Sequence, residues 1–185
     1  DEISYDVFFT IAFFTGMRMG EILALNWYDV NLITSTIHVT KTAYFVNNVN
    51  HINSTKTRAG TRLITINNKL TAMLRDWKEK QLDLLKEFTT DTESLQIIQS
   101  TPIAITKNMV DKKFKQILSR NNNLKKIRIH DLRHSHASLL INQGEDYLVV
   151  KERLGHASIT TTIDTYSHLY PSKQKNLANK LDDIF

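Results

Sequence analysis

The chain has 185 residues, of which 41% are hydrophobic, and it carries a formal net charge of +5 with an isoelectric point near 9.3. It contains no cysteine, which excludes disulfide bonds and cysteine-ligated zinc and suits a reducing cytoplasm. No apolar run reaches membrane-spanning length. The size and hydrophobic content predict one domain, residues 1–185, whose fold depends on packing alone. The chain begins within a predicted helix without an initiator methionine, so we expect it to be part of a longer protein.

Apolar spacing predicts helices over residues 4–15 and 18–26, separated at Gly16. Segments rich in β-branched and aromatic residues follow at 36–46, 52–56 and 61–66, and the turn TRAG joins the last two. We expect them to form a three-stranded antiparallel sheet. Helical spacing then recurs at residues 67–88, 107–121, 130–143, 146–154, 158–166 and 172–183. The predicted fold class is therefore α+β and mainly α, with one small sheet.

Basic residues are concentrated immediately before the sequence HDLRH. They are Lys112, Lys113, Lys115, Arg120, Lys125, Lys126 and Arg128. Such a stretch could follow a phosphate backbone, and a solvated helix face explains it equally well.

The motif HDLRH places His130 and Arg133 three residues apart on a predicted helix, so the two side chains project together. An imidazole beside a guanidinium fork suits a phosphate. The competing interpretation is zinc, since His130 and His134 have the i, i+4 spacing of HExxH proteases and His136 could be a third ligand. Asp131 replaces the glutamate of that motif, and Arg133 would repel the cation. His136 shares a helical face with leucines, which favours a hydrogen-bonded core histidine.

Two further motifs contain residues suited to the same chemistry. In TGMRMGE, Arg18 and Glu21 lie one helical turn apart, a spacing that a surface ion pair would also show. In LGHASITTTIDTYSH, His156 follows Gly155, and Tyr166 comes ten residues later. Each of these residues alone has an ordinary structural explanation.

In order and spacing, these motifs resemble the catalytic domain of tyrosine recombinases, also called phage integrases. The matching segments are TGMRMGE, STKTRAGTR, HDLRHSHAS, LGHAS and DTYSH, which together run from residue 15 to residue 168. The resemblance implies the catalytic fold of that family and a DNA strand transferase. It also implies that an N-terminal core-binding domain, and any arm-binding domain, lie outside this chain.

The resemblance also implies a role for each matching residue. The implied set is Tyr166 as nucleophile, Arg18 and Arg133 as phosphate clamps, His130 and His156 as flanking hydrogen-bonding groups, Lys56 as general acid, and Glu21 in support. Lys41 and Arg58 compete with Lys56 for its role, and Tyr170 is the alternative nucleophile. For activation of the phenol, His130 and direct arginine assistance both remain open.

The implied reaction passes through a 3′-phosphotyrosine and needs neither a metal nor a cofactor. The implied partners are double-stranded DNA attachment sites, other recombinase protomers and accessory DNA-bending or excision factors. The implied location is the cytoplasm of a bacterial host, and no membrane partner is implied. The tail SKQKNLANKLDDIF, residues 172–185, has an apolar stripe that would dock on a neighbouring protomer or pack on its own domain; the stripe consists of Leu177, Leu181 and Ile184. A type IB topoisomerase or resolvase, and a catalytically silent DNA-binding module, are the alternative functions.

Overall fold

The structure is a computed structural model that describes residues 2–46, 49–55, 57–120 and 123–167. Lys56, Tyr170 and the tail helix predicted at 172–183 lie outside these residues, so those predictions remain untested.

The first two helices are separated by a turn that only glycine accommodates easily. Helix α1 spans Glu2–Thr15 and helix α2 spans Met19–Ala24. Between them Gly16 has a φ of 64°, and a Cβ at this position would lie 2.6 Å from the His136 ring. Both the left-handed conformation and the close approach therefore require glycine. Helix α2 ends earlier than predicted because Leu25 is extended and a 3-10 turn follows at Trp27–Asp29.

The strands form two small antiparallel sheets. Strands β1 (Val30–Asn31), β2 (Thr36–Val39) and β5 (Arg62–Thr65) form one sheet in the order β1-β2-β5, whereas β3 (Lys41–Val46) and β4 (Val49–Ser54) form a separate hairpin. The prediction of a three-stranded antiparallel sheet is thus confirmed, but its predicted membership is wrong. The segment at 36–46 breaks at Thr40, and β5 pairs with β2 rather than with β4.

Burial explains this division of the strands. Ile37 and Val39 of β2 and Ile64 of β5 are buried in the main core, so pairing β2 with β5 covers apolar surface. Among the described side chains of the hairpin β3–β4, Ala43 is partly buried against that core, whereas Tyr44 and Ile52 are exposed. The TRAG segment forms a 3-10 turn, Arg58–Gly60, capped by the Thr57 side chain, and so it leads into β5 without forming a hairpin.

The remaining helices agree with their predicted positions to within a few residues. They are α3 (Asn68–Leu85), α4 (Lys107–Ser119), α5 (Ile129–Asn142), α6 (Tyr147–Leu154) and α7 (Ile159–Tyr166). A large core joins α1, α2, β2, β5, α3 and α4, while a smaller cluster of Ala137, Ile141, Val150, Leu154 and Tyr166 joins α5, α6 and α7. The second cluster fixes the end of α7 against α5. None of the helices in the described ranges has the length and apolar character needed to cross a membrane.

Candidate active site

Arg18 lies at the N-cap of α2 with its guanidinium partly open to solvent. Its Nη1 donates to Glu21 Oε1 at 2.8 Å, and its Nη2 donates to the Gly155 carbonyl at 3.3 Å. The side chain is 41% exposed, so part of its fork remains available to an anion. The turn before α2 and the end of α6 together fix its direction.

Glu21 is buried beneath Arg18 and also binds a second arginine that the sequence analysis missed. Arg62 donates from Nη1 to Oε1 at 3.0 Å and from Nη2 to Oε2 at 2.8 Å of this carboxylate. Burial alone would raise the pKa of Glu21, but the bonds from Arg62 and Arg18 outweigh it and hold the pKa below its ordinary value. Glu21 is therefore ionised and holds Arg18 in place, while its supporting role in catalysis stays a prediction.

Arg62 also connects the site to α6. Its Nε donates to the Arg153 carbonyl at 2.8 Å and its Nη1 to the Gly60 carbonyl at 3.0 Å. Gly155 has a φ of 69°, and a Cβ there would lie 2.9 Å from Arg62 Nη1. A signal for Arg62 was present in the sequence, because it alternates with Ile64 and therefore shares the inward face of β5.

Arg62→Met should destabilise the fold strongly. The variant leaves the buried Glu21 carboxylate with one partner in place of two, and breaking a buried pair in this way costs about 3–5 kcal/mol. Chemical denaturation would measure the loss, with exposed Arg75→Met on α3 as the matched control. Adding Glu21→Gln to Arg62→Met should recover part of the loss, whereas an unchanged denaturation midpoint in Arg62→Met would contradict the network.

Arg133 is buried on α5 and joins two helix ends. Its Nη1 donates to the Gly16 carbonyl at 2.8 Å and its Nη2 to the Leu154 carbonyl at 2.6 Å. Burial, assisted by the positive charge of Arg18, lowers the pKa of Arg133 to about 9, so the guanidinium stays charged at neutral pH. The side chain is consequently held rigidly at the base of the site.

Arg18, His130 and Arg133 line one cavity of about 440 Å³ beside strand β3. Lys107, at the start of α4, lines the same cavity and was not predicted as a site residue. Burial and the nearby His134 and Arg133 lower the pKa of His130, so its imidazole is neutral at pH 7 and suited to hydrogen bonding. A cavity with this charge and shape can hold a phosphate group.

His156 follows the left-handed Gly155 and lines a different cavity, together with Arg62, from the one that Arg18 and Arg133 line. Burial, with Arg133 and Arg18, lowers its pKa to about 4. Its Nδ1 lies 2.8 Å from the Thr162 hydroxyl of α7, which fixes the ring. His156 is thus a neutral hydrogen-bonding group at physiological pH.

Tyr166 ends α7, and its side chain is buried in the smaller core cluster. The hydroxyl lies 2.6 Å from Nδ1 of His134, a residue that the sequence analysis considered only as a zinc ligand. The His130 ring packs edge-on against His134, with ring centroids 4.9 Å apart. Burial raises the pKa of the Tyr166 phenol, and the positive charge of Arg133 opposes that shift.

His136 is a core histidine, which confirms the prediction from its helical face. Its Nδ1 donates to the Phe13 carbonyl at 2.8 Å, and its Nε2 accepts from Arg153 Nε at 3.1 Å. Burial and the charge of Arg153 lower the pKa of His136 from 6.5 to about 4. Both ring nitrogens are therefore used within the protein.

The fold should lose stability as the pH falls from about 6.5 to about 4. In this window the unfolded chain binds a proton at His136 that the folded chain excludes, so the contribution is complete above the window and is lost towards its acidic end. The loss from His136 should approach about 3 kcal/mol. Thermal melts across this pH range would measure the loss of stability. The dependence of the melting temperature on pH should be flatter for His136→Asn and unchanged for exposed His38→Asn. Equal slopes for His136→Asn and the unsubstituted protein would contradict this assignment.

The other candidates from the sequence have different surroundings. Lys41 is engaged with Asp29 at 2.8 Å, whereas Arg58 is exposed on the turn after Lys56. In the basic stretch, Lys113 is buried against Glu2 and the Tyr5 ring, but Lys112, Lys115 and Arg120 are exposed. Among the residues described, no group of three or more histidine, aspartate or glutamate side chains could hold a metal ion.

Taken together, the site combines a cavity lined by two arginines with a tyrosine that is connected to it through two histidines, a composition typical of a tyrosine recombinase centre. The sequence matches the family model "Phage integrase family" over residues 1–173, and the chain belongs to that family.

Similar proteins include integrases of several mobile elements. The chain is 43% identical over 185 residues to the ICEBs1 integrase of Bacillus subtilis (strain 168), covering 100% of this chain and 50% of that protein. It is 30% identical over 183 residues to the integrase of Staphylococcus phage L54a, covering 92% of this chain and 49% of that protein. The chain thus spans about half the length of these relatives.

Solved structures share the fold. The Tn1549 transposon integrase, in complex with transposon right end DNA, superposes with a TM-score of 0.79 at 20% identity, covering 98% of this chain and 60% of that one. The catalytic domain of bacteriophage HP1 integrase gives a TM-score of 0.55 at 21% identity, covering 94% of this chain and 79% of that one. The predicted tyrosine recombinase catalytic fold is confirmed.

Proposed function

We propose that this chain is the catalytic domain of a site-specific DNA recombinase that integrates or excises a mobile element through a 3′-phosphotyrosine. The observation that carries the proposal is the position of the Tyr166 hydroxyl. It is held on His134, which in turn packs against His130 of the two-arginine cavity. Family membership and the integrase relatives support the same reaction.

The two arginines address the difficulty of attacking a phosphodiester, whose negative charge repels nucleophiles. Arg18 and Arg133 are fixed by Glu21, Gly155, Gly16 and Leu154. Because their orientation is set before substrate arrives, they stabilise the charge that develops on the phosphoryl oxygens without reorganising. Neutral His130 and His156 then donate hydrogen bonds to the same group.

In the proposed cleavage step, the Tyr166 oxygen attacks phosphorus and the bond from phosphorus to the 5′ oxygen breaks. Tyrosine suits this exchange because a phenolate is both a competent nucleophile and a good leaving group, so a 5′ hydroxyl from another strand can reverse the attachment. The departing 5′ oxygen needs a proton. Lys56, on the segment between β4 and the 3-10 turn, is the proposed donor.

We propose double-stranded DNA attachment sites as the substrate and further recombinase protomers, with accessory DNA-bending or excision factors, as partners. The DNA complex of the Tn1549 integrase and the exposed lysines of α4 support DNA as a partner. A bacterial cytoplasm is the proposed location.

Covalent capture tests the function. The full-length protein would be incubated with sheared genomic DNA from the organism that carries the gene, and fragments that remain attached in denaturing detergent would be sequenced. We expect one sequence class with protein on the 3′ end and a free 5′ hydroxyl. Absence of any adduct, or attachment to the 5′ end, would contradict the proposal.

The captured duplex also separates the alternatives. A recombinase exchanges strands between two duplexes that carry the captured sequence. A type IB topoisomerase instead relaxes supercoiled DNA without exchange, and a silent DNA-binding module retains DNA without forming an adduct.

A further inference from the structure

We propose that His134 is a catalytic residue that accepts the proton of the Tyr166 hydroxyl during strand cleavage. The proposal rests on the proposed function and deepens it, since it assigns the base that the sequence left open between His130 and the arginines.

The contact itself is direct. The Tyr166 oxygen and His134 Nδ1 are 2.6 Å apart, within the distance that a general base needs to reach the proton it removes. Both groups are shielded, because Tyr166 is 3% exposed and His134 is half-buried. In such surroundings the phenol has little access to water as an alternative acceptor.

The phenol needs such an acceptor. Burial raises its pKa further from neutrality, so the fraction ionised at physiological pH is small. An imidazole has a pKa close to neutrality and can take the proton as the bond from oxygen to phosphorus forms. The proton then resides on His134 Nδ1 until the reverse reaction returns it to the phenol.

Asp131 supplies a negative charge near His134. Asp131, on the same helix, interacts with His134 electrostatically and is ionised at neutral pH, because bonds from Arg128 lower its pKa to about 2. His130 and His156 also interact with His134, and burial lowers the pKa of both, so they are neutral at pH 7. Asp131 can therefore stabilise the imidazolium without competition from a second protonated histidine.

The two adjacent histidines of HDLRH consequently have different tasks. His130 lines the cavity with Arg18 and Arg133 and is placed to contact the phosphate. His134 faces the nucleophile instead.

His134→Asn tests the proposal, because the asparagine amide occupies the position of Nδ1 and keeps a hydrogen bond to the phenol but cannot take its proton. Single-turnover cleavage of the captured duplex should slow by about 10²–10⁴-fold in the full-length protein, with an unchanged melting temperature. His38→Asn, exposed on β2, is the matched control and should cleave at the normal rate. Cleavage at the normal rate in His134→Asn would overturn the proposal.

Two rescues distinguish a base from a structural residue. Fluorinated tyrosine at position 166 has a more acidic phenol. It should raise the cleavage rate of His134→Asn at least tenfold and change the cleavage rate of the unsubstituted protein little. A duplex with a bridging sulfur at the 5′ position of the scissile phosphate needs no general acid. This duplex should restore the cleavage rate of Lys56→Ala but leave cleavage by His134→Asn slow.

Each rescue can also contradict the assignment. If fluorination failed to raise the cleavage rate of His134→Asn, the loss would be structural. If the bridging sulfur restored that rate, His134 would instead protonate the departing 5′ oxygen. If the unsubstituted protein captured no DNA at all, the proposed function itself would fail, which is a separate outcome.

Discussion

Tyr166→Phe is expected to abolish covalent capture of DNA, with a loss on the order of 10⁴-fold or more. The substitution removes only the oxygen that would bond to phosphorus. The phenyl ring still fills the space among Ala137, Ile141, Val150 and Leu154, so the free energy of unfolding should change by about 1 kcal/mol or less. DNA affinity should be unchanged, since Arg18 and Arg133 keep their partners.

The measurement is the yield of detergent-resistant adduct on the captured duplex, together with a filter-binding or mobility-shift titration. Tyr28→Phe is the matched control, because Tyr28 is 69% exposed and lies outside the site. Persistence of the adduct in Tyr166→Phe would show that another residue, Tyr170 being the candidate, is the nucleophile.

Arg133→Lys should also slow strand cleavage strongly. Lysine keeps the charge but lacks the planar fork that donates to both the Gly16 and the Leu154 carbonyls. One buried carbonyl then loses its partner, and the phosphate loses a preorganised donor. We expect single-turnover cleavage to fall by about 10²–10³-fold, the loss typical of removing one donor that stabilises developing oxyanion charge.

Arg133 also connects the end of α1 to the end of α6, so its two roles must be measured separately. The cleavage rate would be normalised to the folded fraction obtained from thermal melting at the assay temperature. Arg75→Lys on the exposed side of α3 should alter neither quantity. If folded Arg133→Lys cleaved DNA at the normal rate, the proposed role of Arg133 as a phosphate clamp would be wrong.

The helices and the order of the site residues could be predicted from sequence because both depend on local spacing. Helical periodicity located α3 to α7 to within a few residues, and Gly16 marked the end of α1. His130 and Arg133 share a helix turn, so their common cavity followed from the spacing alone. His136 was assigned correctly to the core for the same reason.

The strand pairing and two of the site residues could not be predicted in this way, because they depend on contacts distant in sequence. Strand β5 pairs with β2 rather than with β4 because this pairing covers the core. Periodicity alone does not show which pairing covers the core. Arg62 meets Glu21 across 41 positions, and His134 meets Tyr166 across 32. Of these features, only the inward position of Arg62 has a sequence signal, which is its alternation with Ile64 along β5.

The central claim is that Tyr166 forms the bond to DNA, and peptide mapping of the captured adduct tests it most directly. After nuclease and protease digestion, mass spectrometry would identify the peptide that carries the residual nucleotide. The account predicts a nucleoside 3′-phosphate on the Tyr166 oxygen, in the peptide that contains DTYSH. A nucleotide on any other side chain, or one attached through its 5′ phosphate, would contradict it.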